Sequence, residues 1–173
     1  NAVFTYTPVT GDLVSCILTS SETCTSGNPA SSLPYPISVL PILPVSVTIS
    51  ASENPVCDGA PATYTAVPVN GGTTPAYQWK VNGINANNAG NASNATNSVY
   101  SYTPANGDMV ACEVTSSETC VSGNPGMSNV IGMTVTPLLP AGVTIAASLN
   151  PFCPGTSVSF TAAPVNGGST PSY

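Results

Sequence analysis

Positive charge is almost missing from this chain. Its 173 residues hold one Lys, no Arg and no His, against seven Asp and Glu. Charged residues make up 5% of it, where an ordinary soluble domain has roughly 25%. One Lys cannot neutralise a phosphate backbone, so nucleic acid is excluded as a partner. The formal charge of −6 is spread thinly, with no acidic run. The absence of His removes the commonest general base and the mixed Cys/His zinc sites. No stretch approaches 18 unbroken apolar residues, so no membrane insertion is expected. The first residues, Asn1-Ala2-Val3-Phe4, do not read as an export leader. Any such signal is expected outside this stretch or already removed. With charge scarce, water must be held by Thr, Ser, Asn and Gly. Such a surface lacks the repulsion that keeps proteins apart.

What the chain has in quantity is self-similarity. Thr7-Pro8, Gly11-Asp12 and Cys16 recur as Thr103-Pro104, Gly107-Asp108 and Cys112. Ser20-Ser21-Glu22-Thr23-Cys24 recurs as Ser116 to Cys120, Asn54-Pro55 and Cys57 as Asn150-Pro151 and Cys153, and Pro68 to Gly72 as Pro164 to Gly168. The offset is always 96, without a gap, and 43 of the 77 aligned pairs are identical. A fixed long period marks an array of like structural units.

Strand patterns fill one period. Val47, Ile49 and Ala51 alternate with Thr48 and Ser50. Tyr77, Trp79 and Val81 share one face, as do Val110, Cys112 and Val114, and then Ile131, Met133 and Val135. Residues 62–66 and 99–103 read as further strands. Asn-Gly pairs at Asn70, Asn82, Asn106 and Asn166 mark turns. Short strands with regular turns, in a unit near 100 residues, predict an all-β fold: tandem immunoglobulin-like antiparallel β-sandwich domains with a 96-residue repeat. The expected core of one unit is Trp79, Tyr64, Cys112, Val110, Ile131 and Ile49. Pro-rich joints at Pro41-Ile42-Leu43-Pro44 and Pro137-Leu138-Leu139-Pro140 set the frame. Residues 1–44 are then the C-terminal part of one repeat, 45–140 a complete repeat, and 141–173 the N-terminal part of a third.

Several of these residues together carry a resemblance. They are Asn54-Pro55-Val56-Cys57-Asp58-Gly59, Tyr64-Thr65-Ala66, Asn70-Gly71-Gly72 leading to Pro75 and Tyr77-Gln78-Trp79-Lys80-Val81-Asn82-Gly83, and Tyr102-Thr103-Pro104 leading to Gly107-Asp108, Val110 and Cys112. This pattern resembles the immunoglobulin-like and PKD-like repeats of giant surface proteins of Bacteroidota, along the whole chain. The resemblance implies a long secreted array, often exported by a gliding-associated (type IX) system, serving as adhesin, stalk or filament. It brings no catalytic residues and no cofactor.

Candidate site residues are few. Cys16, Cys24, Cys57, Cys112, Cys120 and Cys153 are spaced too widely for zinc knuckles and read as disulfide candidates in an oxidising, extracellular or cell-surface setting. Each period has three, an odd number. Either one thiol per repeat stays free or one bridges between domains or chains. A Cys57–Cys120 bridge within one unit is geometrically awkward, because the two features fall at opposite ends of a sandwich. Asn91-Ala92-Ser93 and Asn94-Ala95-Thr96 are sequons, making Asn91 and Asn94 glycosylation candidates against a chance reading. Tyr6, Tyr100 and Tyr102 read as core and flanking residues or as a sugar-stacking strip. Asp12 and Asp108 read as turn caps rather than calcium ligands, since the other carboxylates are scattered. Lys80 is weighed as an isopeptide donor and set aside, because its neighbour Trp79 takes the inward face. No nucleophile has a base beside it, so no enzyme is expected.

The sequence therefore predicts the structural unit of an extracellular bacterial fibre or adhesin stalk. The alternative is a carbohydrate-binding or spacer module of a large secreted enzyme or adhesin. Residues 141–173 and 1–44 together hold most of one repeat. Head-to-tail assembly with other copies of the chain is the expectation, with glycans as further candidate partners.

Overall fold

The computed structural model describes residues 2–87 and 92–173. Its regular structure is all β, in several sheets, with no helix among the described residues. No helix there is long and apolar enough to cross a membrane. Four short strands come first: β1 (Leu13–Val14), β2 (Ile17–Leu18), β3 (Ala30–Ser31) and β4 (Tyr35–Pro36). The joint strand β5 (Leu43–Pro44) leads into the middle section.

There, β6 (Ser46–Ala51), β8 (Ala62–Val69) and β11 (Val99–Tyr102) form one antiparallel sheet, in the order β11-β8-β6. A second sheet runs β10 (Ile84–Asn85), β9 (Ala76–Val81), β12 (Met109–Thr115), with β14 (Gly126–Met127) and β15 (Ile131–Gly132) both pairing with β12. Period-two alternation places one face of each sheet inward. Val47 and Ile49 of β6 and Ala62, Tyr64 and Ala66 of β8 meet Trp79 of β9 and Val110, Cys112 and Val114 of β12 in one core. Trp79 lies opposite Cys112 in register, and its indole N–H donates to Asn97 O at 2.8 Å. Tyr64 packs against Trp79, Tyr100 and Tyr102 with ring centroids 6.0, 6.1 and 5.7 Å apart. Such aromatic contacts add roughly 0.5–1.5 kcal/mol each beyond the area they bury.

Ile131 is half-buried rather than central, and the run from Ile131 to Val135 does not form one strand. Ile131–Gly132 pairs with β12, whereas β16 (Val135–Thr136) pairs in parallel with β7 (Val56–Cys57). The chain changes partner at Met133, which is buried. Asn54 spans the change: its amide donates to Gly132 O at 2.8 Å and its oxygen accepts from Thr134 N at 2.9 Å. One side chain thus satisfies backbone groups that would otherwise lose their ladder partners.

The remaining strands are β13 (Val121–Ser122), parallel to β5, and the hairpin pair β17 (Gly142–Ala147) and β18 (Phe160–Val165). The pairing Gly142↔Val165 to Ala147↔Phe160 is Ser46↔Val69 to Ala51↔Tyr64 displaced by 96 residues. Likewise Leu13↔Pro36 and Ile17↔Ser31 match Met109↔Gly132 and Glu113↔Met127. Every residue buried among the described ones lies between Val45 and Met133.

Candidate functional site

Several of the side chains that make the core in the middle section have counterparts, 96 residues away, that are bare. Phe160 stands where Tyr64 stands, yet is 65% exposed against 0%. Ile145 corresponds to Ile49 and is 71% exposed against 6%. On the other flank Phe4 corresponds to Tyr100, 77% exposed against 2%, and Leu18 to the fully buried Val114. Phe4 and Tyr6 stack on each other with centroids 5.3 Å apart. One open concavity is lined by Phe4, Tyr6, Leu13 and Val14, another by Val143, Pro164, Val165 and Tyr173. A contiguous exposed apolar face is the kind of surface from which interaction sites are built. The two faces are complementary in kind. Residues 141–173 carry the β6–β8 part of the core pattern and residues 2–44 the β11, β12 and β14 part, while the Trp79 segment of β9 has no counterpart in either.

The six cysteines are all unbonded in the structure, so the expected disulfides are not formed within the chain. Cys112 is buried, and burial pushes its thiol up to about 11. Such a thiol is inert at neutral pH. No second cysteine lies among the residues of its core. Cys16, Cys24, Cys57, Cys120 and Cys153 are exposed. Cys57 sits in β7 beside Thr136, at the exit of the middle section. Cys120 lies at its entry, its carbonyl accepting from Leu43 N at 2.9 Å. Their placement at separate joints is the physical reason the two do not bond within one section.

No family model and no curated protein matches this chain. The likeness to Bacteroidota surface repeats therefore rests on the residues quoted above.

Other candidates resolve locally. Asp108 caps a turn: its carboxylate accepts from Ala105 N at 2.9 Å, Tyr102 OH at 3.2 Å and Asn82 Nδ2 at 2.8 Å. Asp12 repeats the first of these contacts with Val9 N. Tyr100 and Tyr102 face the core and offer no sugar-stacking strip. Burial pushes the Tyr64 hydroxyl up to about 12, with the nearby Tyr102 hydroxyl drawing it back. That hydroxyl makes no hydrogen bond of good geometry. Lys80 points outward to Asn85 Oδ1 at 2.9 Å and Glu113 at 3.5 Å. Among the described residues no three Cys, Asp or Glu side chains gather as metal ligands would. Asn94 is exposed, at a positive φ of 63°. Asn91 lies outside the described residues.

Sequence reasoning missed a set of asparagines. Asn129 donates to Ile49 O and accepts from Ile49 N. Asn124 does the same for Ser116, and Asn28 for Ser20. With Asn54 these carboxamides stand in for a neighbouring strand's peptide group. For Asn28 and Asn124, and for Asn54 and Asn150, the signal was present as Asn recurring at the 96-residue offset, where it reads simply as turn and surface polarity, whereas Asn129 has Leu33 as its counterpart.

Proposed function

We propose that this chain is a structural unit of an extracellular bacterial fibre or adhesin stalk, built from tandem immunoglobulin-like β-sandwiches with a 96-residue repeat. Residues 45–140 are a complete repeat, 1–44 the C-terminal part of one, and 141–173 the N-terminal part of another. The two parts meet head to tail, the bare β17–β18 face of one unit covering the bare face of residues 2–44 in the next. The observation that carries this is the pair of exposed faces, which between them bear the β6, β8, β11, β12 and β14 side-chain pattern that the middle section packs into its core, the strand segment of Trp79 excepted. Burying a large apolar side chain is worth about 1.5–3 kcal/mol, so several such residues on each side give a strong drive to join.

We read the unit as non-enzymatic. The chain has no imidazole, its one Lys is tied to Asn85 and Glu113, and its buried thiol is held protonated.

Light scattering and electron microscopy over a concentration series test the assembly. Linear particles with a bead spacing of roughly 35–45 Å are expected, from strands of 6–8 residues at ~3.3 Å plus loops. Ile145→Ser should disperse them while leaving the middle section folded. A monodisperse wild-type monomer would defeat the reading. Saturable binding on a glycan array would favour the carbohydrate-binding alternative.

A further inference from the structure

Two exposed thiols per repeat lie at the two ends of the middle section, and each is tied to a connecting segment. Cys57 pairs with Thr136, the last strand residue before the connector 137–140. Cys120 lies one residue before Val121, which pairs in parallel with Leu43 of the preceding connector. We propose that each joint between successive repeats is closed by a disulfide, from the Cys57-type thiol of one repeat to the Cys120-type thiol of the next. This rests on the head-to-tail reading. Between copies it joins Cys57 to the next copy's Cys24, and Cys153 to the next copy's Cys120.

The two connectors are held alike. Asn70 Nδ2 donates to Pro44 O at 2.7 Å, and Asn166 Nδ2 donates to Pro140 O at 2.8 Å. The contacts seen at Leu43–Pro44 therefore carry over to Leu139–Pro140. Parallel register sets Cys120 beside Ile42, so the corresponding cysteine of the following repeat falls beside Leu138. Cys57 lies beside Thr136, two residues earlier on the same connector. Two residues of extended chain span about 6 Å at ~3.1 Å each. A disulfide needs Cα atoms about 4.4–6.8 Å apart.

The sides agree as well. Pro137 and Pro140 fix their own φ, and a residue preceding proline is held extended, which covers Thr136 and Leu139. A polyproline-type backbone repeats every three residues. Thr136, whose carbonyl accepts from Asp58 N at 2.8 Å, therefore turns the same edge as Leu139. Leu139 is the counterpart of Leu43, whose N–H donates to Cys120 O. Cys24 and Cys120 also hold left-handed backbones, φ 68° and 60°. A residue with a side chain adopts that region at a cost that its surroundings must offset. Buried Cys112 stays out, so two cysteines per repeat bond and the odd one remains a thiol.

Closure needs a two-electron oxidant, here a small-molecule disulfide. One thiolate attacks the oxidant's S–S bond and releases a thiol. The second thiolate displaces the mixed disulfide and releases another. The two protein S–H protons pass to the released thiolates, and the oxidant disulfide is reduced to two thiols.

The test uses the whole chain. It is assembled in a glutathione redox buffer, alkylated, and digested with pepsin without reduction, since one Lys gives trypsin no useful sites. Mass spectrometry should find Cys57 peptides joined to Cys24 peptides and Cys153 peptides joined to Cys120 peptides, with Cys112 alkylated only after denaturation. Non-reducing denaturing gels should show a ladder. Either bond alone links two copies, so the ladder should survive Cys57→Ser and Cys112→Ser singly, and collapse to one band in the double variant Cys57→Ser, Cys153→Ser. Filaments whose exposed cysteines all alkylate freely would overturn the bond and leave the assembly standing. A dispersed monomer would overturn both, and a Cys57–Cys120 pair would overturn the stated linkage.

Discussion

Residues 4–18 and 100–114 carry much the same side chains and meet opposite fates. Tyr100, Tyr102, Val110, Cys112 and Val114 are buried, while Phe4, Tyr6, Cys16 and Leu18 stand in the open. The hairpins form in both places, with registers that match residue for residue. Strand pairing is local and needs only the neighbouring segment. Burial needs the facing sheet, and in the flanks no facing sheet is in place. A hydrophobic pattern therefore sets which face seeks cover, and the presence of the other half decides whether it becomes a core.

This contrast can be broken or sharpened by experiment. Its largest expected sign is chemical. Cys112 should alkylate only when its sheet opens, which for a domain stable by about 5 kcal/mol slows it roughly a thousandfold or more relative to Cys16. Timed labelling of dispersed protein measures the ratio, and comparable rates would place Cys112 outside a stable core. Assembly should then protect Cys16 as well.

Trp79→Ala should lower the stability of the middle section by about 3–5 kcal/mol, as loss of a buried aromatic does. Its control is Phe160→Ala on the bare face, which should leave that transition unmoved in calorimetry. Gly72→Ala comes next, at about 2 kcal/mol. Gly72 has φ 80°, and an added Cβ would meet Ser117 Oγ and lie 2.9 Å from Glu118 N. The corresponding Gly168 has nothing within 4 Å, so only its φ of 73° resists a side chain there. Asp108→Ala should cost about 1–2 kcal/mol in a urea titration by stranding three donors, where Asp12→Ala leaves the middle section unaffected. The smallest effect is expected from Lys80→Met. Its partly exposed pair with Glu113 contributes less than about 1 kcal/mol, and high salt should leave the melting temperature nearly unchanged.

Much of this was legible in the sequence, because alternation fixes faces. The inward positions Val47, Ile49, Tyr64, Trp79, Val110 and Cys112 follow from period two alone. The run at Ile131, Met133 and Val135 misled, since alternation cannot reveal that a strand leaves one partner for another. That switch depends on Asn54, 80 residues away from Thr134 in sequence. The asparagine clamps were illegible for the same reason: a carboxamide reads as polar, and only contact shows that it replaces a peptide group. The cysteine positions were plain but their geometry was not, because parallel pairs such as Val135↔Val56 join segments distant along the chain.

Those parallel pairs have a mechanical meaning. The segment entering the middle section, Leu43–Pro44, lies alongside Val121–Ser122, and the segment leaving it, Val135–Thr136, lies alongside Val56–Cys57. In the exit pair the two strands run the same way along the chain. Tension applied at the two ends therefore drags them in opposite directions, along their length. The hydrogen bonds between them lie across the pull and must yield together rather than peel off singly. Load reaches the exit clamp before it reaches Trp79, so the mouth of the section, not its centre, sets the force it withstands.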